Sequence, residues 1–329
     1  MEIVIVGATG NVGRVVVEII TEKFPNLTVR CTGSKRSAGS KLEINGKVFT
    51  VEDTDSFQWT SNQLSIFNTE ADISKRYIPE ALSAGGYVID SSSHYRLDSN
   101  VPLVVPYISK VDIGKNRLFA HSNCIVSPIA SVLHPLHREF AIDRVIASTY
   151  QSVSGAGKSA LDQCFNETKA FCDSGKRGES NIFPRPIAFN IIPQIGTINN
   201  DGIAGEEEKI VKELNKIVDR NIYISATSVR VPVLIGHSIS LSMRFRGDIN
   251  QVKSILSNSP RIKLSNDYNT PIEVVGKDHI FVGRIRSDMM DNEQWFHMWL
   301  SSDNLRIGAA LDAVYMAEEI IRQKFYCQL

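Results

Sequence analysis

Asn123-Cys124 stands where an extended run, Leu118 to Ser122, gives way to a helical pattern. Cysteine is the side chain most readily made nucleophilic near neutral pH, and the first turn of a helix favours its thiolate through unpaired N–H groups and the helix dipole. A cysteine so placed can attack a carbonyl carbon; read in isolation, it could equally be a small buried apolar residue. A second chemical signal lies at the start of the chain, where Gly7, Gly10 and Gly13 recur at every third position. This G-x-x-G-x-x-G pattern is a variant of the fingerprint in which backbone approaches a pyrophosphate at a helix N-terminus. After the second extended run, where an acidic residue would take the ribose hydroxyls of NAD, the chain reads Gly33-Ser34-Lys35-Arg36-Ser37. That cationic, hydroxyl-rich turn suits the 2′-phosphate of NADP, unless it is merely a solvated basic loop.

The elements that must hold these residues follow from the apolar pattern. Glu2 to Val6 is a short apolar run, the glycine turn follows, and a helical pattern spans Val12 to about Lys23. Leu27 to Cys31 predicts a second strand, and Asn45-Gly46 predicts a hairpin between Leu42-Glu43-Ile44 and Val48-Phe49. Leu64 to Phe67 and Tyr87 to Ile89 read as strands around a helix near Ser74 to Leu82. Alternating strands and helices imply a doubly wound, Rossmann-like α/β fold with a mostly parallel sheet. Beyond about Val145 the strands lengthen (Tyr223 to Arg230, Ser238 to Phe245, His279 to Arg286, Trp295 to Ser301), which predicts a second α+β domain with a mixed or antiparallel sheet. A long amphipathic helix from about Leu305 to Phe325 is expected to return to the first domain. The expected division is therefore 1–123 with 305–329, and 124–304.

Bulk composition narrows the function further. Lys plus Arg and Asp plus Glu are equal at 36 each, so no overall basic field favours a nucleic-acid partner, and small ligands are the expected partners. The five cysteines, Cys31, Cys124, Cys164, Cys172 and Cys327, are odd in number and form no C-x-x-C pair, which argues against a disulfide framework or a zinc site. His134 and His137 fall at i, i+3 on one helix, but no nearby cysteine or carboxylate completes a metal site, so no metal is expected. No apolar stretch reaches the roughly 18 residues a membrane span needs, and a cytoplasmic location is expected.

Other segments carry a more specific signal. They are Ile89-Asp90-Ser91-Ser92-Ser93-His94-Tyr95-Arg96, Ser122-Asn123-Cys124, Thr149-Tyr150-Gln151-Ser152-Val153-Ser154-Gly155-Ala156-Gly157, Glu206-Glu207-Glu208-Lys209 and Arg230-Val231-Pro232-Val233-Leu234-Ile235-Gly236-His237-Ser238. With Phe189 to Gly196, Phe281 to Arg286 and Asp303-Asn304-Leu305-Arg306, the chain resembles the aspartate-semialdehyde dehydrogenase family along essentially its whole length. The resemblance implies NADPH-dependent reductive dephosphorylation of β-aspartyl phosphate through a thioester on Cys124, with His237 as the acid/base group. Gln151 would orient the acyl intermediate, Arg230 would grip the substrate α-carboxylate and Glu206 would accept its ammonium. Arg96, Asn123 and Lys209 would bind phosphate. Gly7, Thr9, Gly10, Asn11, Val12, Gly13, Ser34, Lys35, Arg36, Ser37, Ser154 and Gly155 would contact the cofactor. The family also implies a homodimer or homotetramer built through the second domain, and a place in lysine, diaminopimelate, methionine and threonine synthesis.

The chain departs from the family pattern at Phe67-Asn68-Thr69-Glu70-Ala71-Asp72, where a small glycine-containing turn is usual, and at Ile307, Asp312 and Tyr315, where Lys, Asn and Gln are usual. These departures motivate an alternative, a catalytically silent paralogue kept as an interaction module. N-acetyl-γ-glutamyl-phosphate reductase is the nearest enzymatic alternative, disfavoured because an acylated amine needs no acidic partner such as Glu206.

Overall fold

The computed structural model describes residues 1–176 and 180–326; Cys327 lies outside the described residues. It divides into two compact units, Met1–Asn123 with Gly308–Leu329, and Cys124–Ile307.

The first unit opens with β1 (Glu2–Val6), whose alternate side chains serve two cores. Ile3 and Ile5 join one cluster, Val4 and Val6 the other, as the two-residue period of a strand buried on both faces requires. Helix α1 (Asn11–Lys23) packs Val16, Val17 and Ile20 on the first face, and α2 (Ala71–Ser83) packs Tyr77, Ile78 and Ala81 on the second. Each such aliphatic side chain contributes about 1.5–3 kcal/mol on full burial. The remaining strands are β2 (Thr28–Gly33), β3 (Lys41–Ile44), β4 (Lys47–Asp53), β5 (Gln63–Phe67), β6 (Tyr87–Asp90), β7 (Leu103–Val104) and β8 (Leu118–His121). They form one sheet in the order β3-β4-β2-β1-β5-β6-β8-β7. Only the β3/β4 hairpin, turning at Asn45-Gly46, is antiparallel. From β1 the chain goes first to β2 on one side and later to β5 on the other, so the order reverses at β1. The crevice at the carboxyl ends of strands flanking such a switch is the general ligand site of open α/β sheets.

In the second unit, α3 (Val126–Phe140) leads to β9 (Arg144–Gln151), α4 (Lys158–Ser174), α5 (Gly205–Ile217), β10 (Tyr223–Arg230), β11 (His237–Arg244), α6 (Ile249–Ser257), β12 (Ile262–Leu264), α7 (Pro271–Val274), β13 (Ile280–Met290) and β14 (Glu293–Ser302). The sheet runs β10-β9-β11-β14-β13-β12 and is mixed: β10/β9 and β12/β13 are parallel, and the pairs between them antiparallel.

The expected terminal helix differs from the observed one. Arg306–Ala310 is a π-helical turn, and the α-helix proper, α8, runs Leu311–Tyr326. Asp312, fully buried, accepts the Gly308 N–H at 3.1 Å and so ties this turn to the helix. Ala313, Ala317 and Ile320 of α8 pack into the same cluster as α1.

Candidate active site

At the carboxyl end of β1 the chain turns through Gly7 at φ +78°, where a Cβ would lie 2.5 Å from the Asn68 carbonyl oxygen. A Cβ on Gly13 would lie 2.2 Å from the Gly7 carbonyl oxygen, so only glycine lets α1 start this close to the strand. No side chain caps α1, which leaves first-turn N–H groups available to an anion. Beside this turn lies a cavity of about 630 Å³ lined by Gly7, Thr9, Gly10, Ser34, Lys35 and Arg36, among others. Asn68 Nδ2, on the same wall, is buried with no hydrogen-bond partner among the described residues. Unpaired N–H donors, a glycine cradle and two cations fit a phosphorylated dinucleotide.

Asn11, Val12, Gly13 and Ser37 are not on the cavity wall. Gly13 serves helix packing, and Ser37 Oγ donates to the Ser34 carbonyl at 2.9 Å, shaping the basic turn from behind. The sequence reading missed Arg76 and Asn68, which do line the cavity. Arg76 sits on α2, far along the chain from the glycine turn, and only the parallel packing of β1 against β5 brings α2 alongside. Of the departing acidic residues, Glu70 lines the cavity as the residue before α2, whereas Asp312 is committed to the Gly308 N–H. Tyr315 packs on Tyr107, and Ile307 is fully buried. Asp312 and Tyr315 are therefore part of the packing of the first unit, while Glu70 adds a carboxylate to the cavity wall.

Arg96 and Asn123 also belong to the first unit. Arg96 is buried, donating from Nε to the His121 carbonyl at 3.0 Å and from Nη2 to the Ser91 carbonyl at 2.7 Å. Asn123, likewise buried, is joined to Cys124 by the chain itself.

Cys124 begins the second unit. It precedes the cap residue Ile125 and so stands just outside the first turn of α3, rather than within it as the sequence pattern suggested. It is half-buried, whereas burial pushes the Cys31 thiol up to about 12, with Glu52 adding to the effect, and burial also raises Cys164. Cys172 is exposed on α4.

Three strand ends and one helix start bring the other candidates together. Gln151 ends β9, Arg230 ends β10, His237 begins β11 and Glu206 lies in the first turn of α5. All four are buried. Gln151 Nε2 lies 3.5 Å from Glu206 Oε1, and Lys209, one turn on, lies 3.9 Å from Glu206 Oε2 with its side chain half exposed. Arg230 Nη1 donates to the Ser152 carbonyl at 2.7 Å. Burial lowers the Arg230 guanidinium from its ordinary value, while the Glu206 and Cys124 charges act in the opposite direction. Gly155 lies against Arg230 and His237: a Cβ there would fall 3.1 Å from Arg230 Nη1 and 3.3 Å from His237 Nε2. Ser154, expected to face the cofactor, has its hydroxyl bound to Ser152 and Asn304.

His237 is buried and held neutral, its ring lowered to about 3 by burial and then by the Arg230 charge. Its Nδ1 accepts the Ser152 N–H at 3.0 Å, so the ring proton of the neutral imidazole rides on Nε2. That nitrogen is buried without a partner, a donor awaiting an acceptor. No group of His, Cys, Asp and Glu among the described residues could hold a metal ion. His137 instead pairs with Asp219 at 3.4 Å.

A nucleotide-type crevice on one unit and a cysteine, imidazole and guanidinium on the other define a class, the semialdehyde dehydrogenases. Residues 2–116 match the family model "Semialdehyde dehydrogenase, NAD binding domain", and residues 133–307 match "Semialdehyde dehydrogenase, dimerisation domain". Within that class the chain belongs to the aspartate-semialdehyde dehydrogenase family. It is 41% identical to the aspartate-semialdehyde dehydrogenase of Rickettsia conorii over 97% of each chain, and 35% identical to that of Bacillus subtilis over 97% of each. The crystal structure of aspartate semialdehyde dehydrogenase II from Vibrio cholerae, complexed with ASA, superposes with a TM-score of 0.93 at 36% identity, covering 98% of this chain and 99% of that one. Among the described residues no helix is long and apolar enough to cross a membrane.

Proposed function

We propose that this protein is an NADP-dependent aspartate-semialdehyde dehydrogenase of the cytoplasm, converting β-aspartyl phosphate to aspartate semialdehyde and phosphate. Its product would feed lysine, diaminopimelate, methionine and threonine synthesis. Residues 1–123 and 305–329 form the NADP-binding domain, and 124–304 the catalytic and dimerisation domain. The observation that carries the reading is the convergence of Gln151, Glu206, Arg230 and His237 in the unit that Cys124 opens.

Gly7, Thr9, Gly10, Lys35 and Arg36 would hold NADP, the two cations taking its 2′-phosphate. When bound, the cofactor would supply the hydride that takes the acyl carbon to the aldehyde level, after which the C–S bond breaks and its electron pair returns to Cys124 as thiolate. The Cys124 thiolate attacks the acyl-phosphate carbon; the C–S bond forms, the C–O bond to phosphate breaks, and phosphate leaves with that electron pair. Arg230 presents a planar fork to the α-carboxylate, and the buried carboxylate of Glu206 takes the α-ammonium. A free ammonium is the group such a carboxylate rewards, which favours the aspartyl substrate over an acylated amine. Gln151, beside Glu206, orients the acyl group, and Lys209 offers phosphate a cation; the family resemblance gives Arg96 and Asn123 the same ligand. His237 holds its proton at Nε2, available to the atom on which negative charge develops.

Purified protein given aspartate semialdehyde, phosphate and NADP should produce the near-ultraviolet absorbance of reduced nicotinamide, dependent on phosphate. Folded protein that yields no such signal would overturn the reading.

A further inference from the structure

Asn304 follows β14 and is almost wholly buried. Its amide orientation is set by a donor that has no alternative: the Gly236 N–H reaches Oδ1 at 2.8 Å, so that atom is the oxygen, and Nδ2 donates to Ser154 Oγ at 3.0 Å. Gly236 is the residue immediately before His237. The hydroxyls of Ser152 and Ser154 converge on the same Oδ1, at 3.1 and 3.2 Å. Ser152 Oγ also lies 3.1 Å from His237 Nδ1, and the Ser152 N–H donates to that nitrogen. Asn304 thus grips the backbone on one side of the imidazole and the residue that contacts Nδ1 on the other.

We propose that Asn304 is a positioning residue for His237, holding Gly236 and Ser152 so that Nδ1 remains an acceptor and Nε2 carries the ring proton toward the reacting atoms. The inference rests on the reading of His237 as the reacting imidazole. The charged group set against His237 is Arg230, with Glu206 and Cys124 beyond it, whereas the Asn304 amide bonds to Gly236, Ser152 and Ser154. Asn304 therefore acts on imidazole geometry and tautomer, and the substrate's ionic grip is left to Arg230 and Glu206.

The test compares Asn304→Ala, Ser152→Ala, His237→Asn and the double variant Asn304→Ala/His237→Asn. Ser152→Ala keeps the Asn304–Gly236 bond, so it serves where Asn304→Ala fails to fold. Either variant should lower kcat about 10- to 100-fold while KM for aspartate semialdehyde changes less than about threefold, the cost of a displaced catalytic group. Asn304→Ala should add almost nothing once His237 is Asn. Nitrogen NMR of histidine-labelled protein should show a single Nε2–H tautomer for His237 in the wild type and a loss of that signature in Asn304→Ala and Ser152→Ala. A raised KM with unchanged kcat, an additive double variant, or an unchanged tautomer would overturn the proposal. The NMR result stands apart from the substrate: a tautomer shift in a protein that does not oxidise aspartate semialdehyde would sink the substrate assignment and leave Asn304 as positioning His237.

Discussion

At Cys124 the useful contrast is with its sister cysteines. Cys31 and Cys164 are buried and raised by that burial, while Cys124 is half-buried next to the Arg230 charge. Cys124→Ala should lower turnover by at least about 1,000-fold, since the thiolate that forms the thioester is lost. Mass mapping after limited iodoacetamide treatment should find Cys124 modified well before Cys31 and Cys164, and the reverse order would refute its role. Arg230→Lys should raise KM for aspartate semialdehyde roughly tenfold and lower kcat less, because an ammonium cannot reproduce a two-point grip. His237 gives a pH prediction. Its folded value lies below its unfolded one, as does that of buried His121, so both are more readily protonated in the unfolded chain. Their stabilising contribution is complete above the unfolded value near 6.5 and is lost as pH falls from there toward the folded value, with a slope of up to about 1.4 kcal/mol per pH unit for each group. Urea titrations between neutral and acidic pH should show this loss in the wild type, and a shallower one in His237→Asn. The types of these residues were readable in the chain because each sits in a distinctive local string. Their protonation was not, since burial and a neighbouring guanidinium arise from segments far apart in sequence.

At the scale of elements, the β1–α1 turn is where sequence and structure agree most closely, because glycine spacing is a local steric requirement. Gly13→Ala pushes a Cβ to 2.2 Å from the Gly7 carbonyl, so α1 must shift off the strand. Overpacking of this kind costs about 1–3 kcal/mol, and thermal melts should show it together with weaker stabilisation by added NADP. A melt matching the wild type would show that the helix starts farther from the strand. The first turn of the terminal helix departs from α geometry for an equally physical reason. Apolar periodicity continues through Arg306–Ala310, but the buried carboxylate of Asp312 takes the Gly308 N–H and the backbone widens into a π-turn. Periodicity reports which face is buried and is blind to such a side-chain intrusion. Cys124 illustrates the same limit, since the pattern change at Ser122 marks the junction while the cap falls at Ile125.

At the scale of the whole molecule, one face of the second sheet carries exposed aromatic and aliphatic side chains. Ile146 and Tyr150 on β9 and Tyr223 on β10 project from it with more than a third of each surface exposed, beside Trp299 on β14. Exposed aromatic and aliphatic side chains set among serines on a dimerisation-type domain suit a second copy. Light scattering should give a homodimer at least, and Ile146→Asp/Tyr223→Asp should give a folded monomer; a wild-type monomer would refute the assembly. Much of the architecture was open to reading from the chain alone. A short apolar run, a glycine turn and a helix specify a doubly wound sheet through local sterics and a two-residue alternation, and the strings around Cys124, Arg230 and His237 announce their chemistry without coordinates. What needed the folded molecule was convergence. Strand order sets the ends of β9, β10 and β11 side by side, seats Asn304 behind an imidazole that lies 67 positions earlier in the chain, and turns Asp312 inward as a structural group. Those outcomes depend on which distant segments exclude water together, and no local pattern records that.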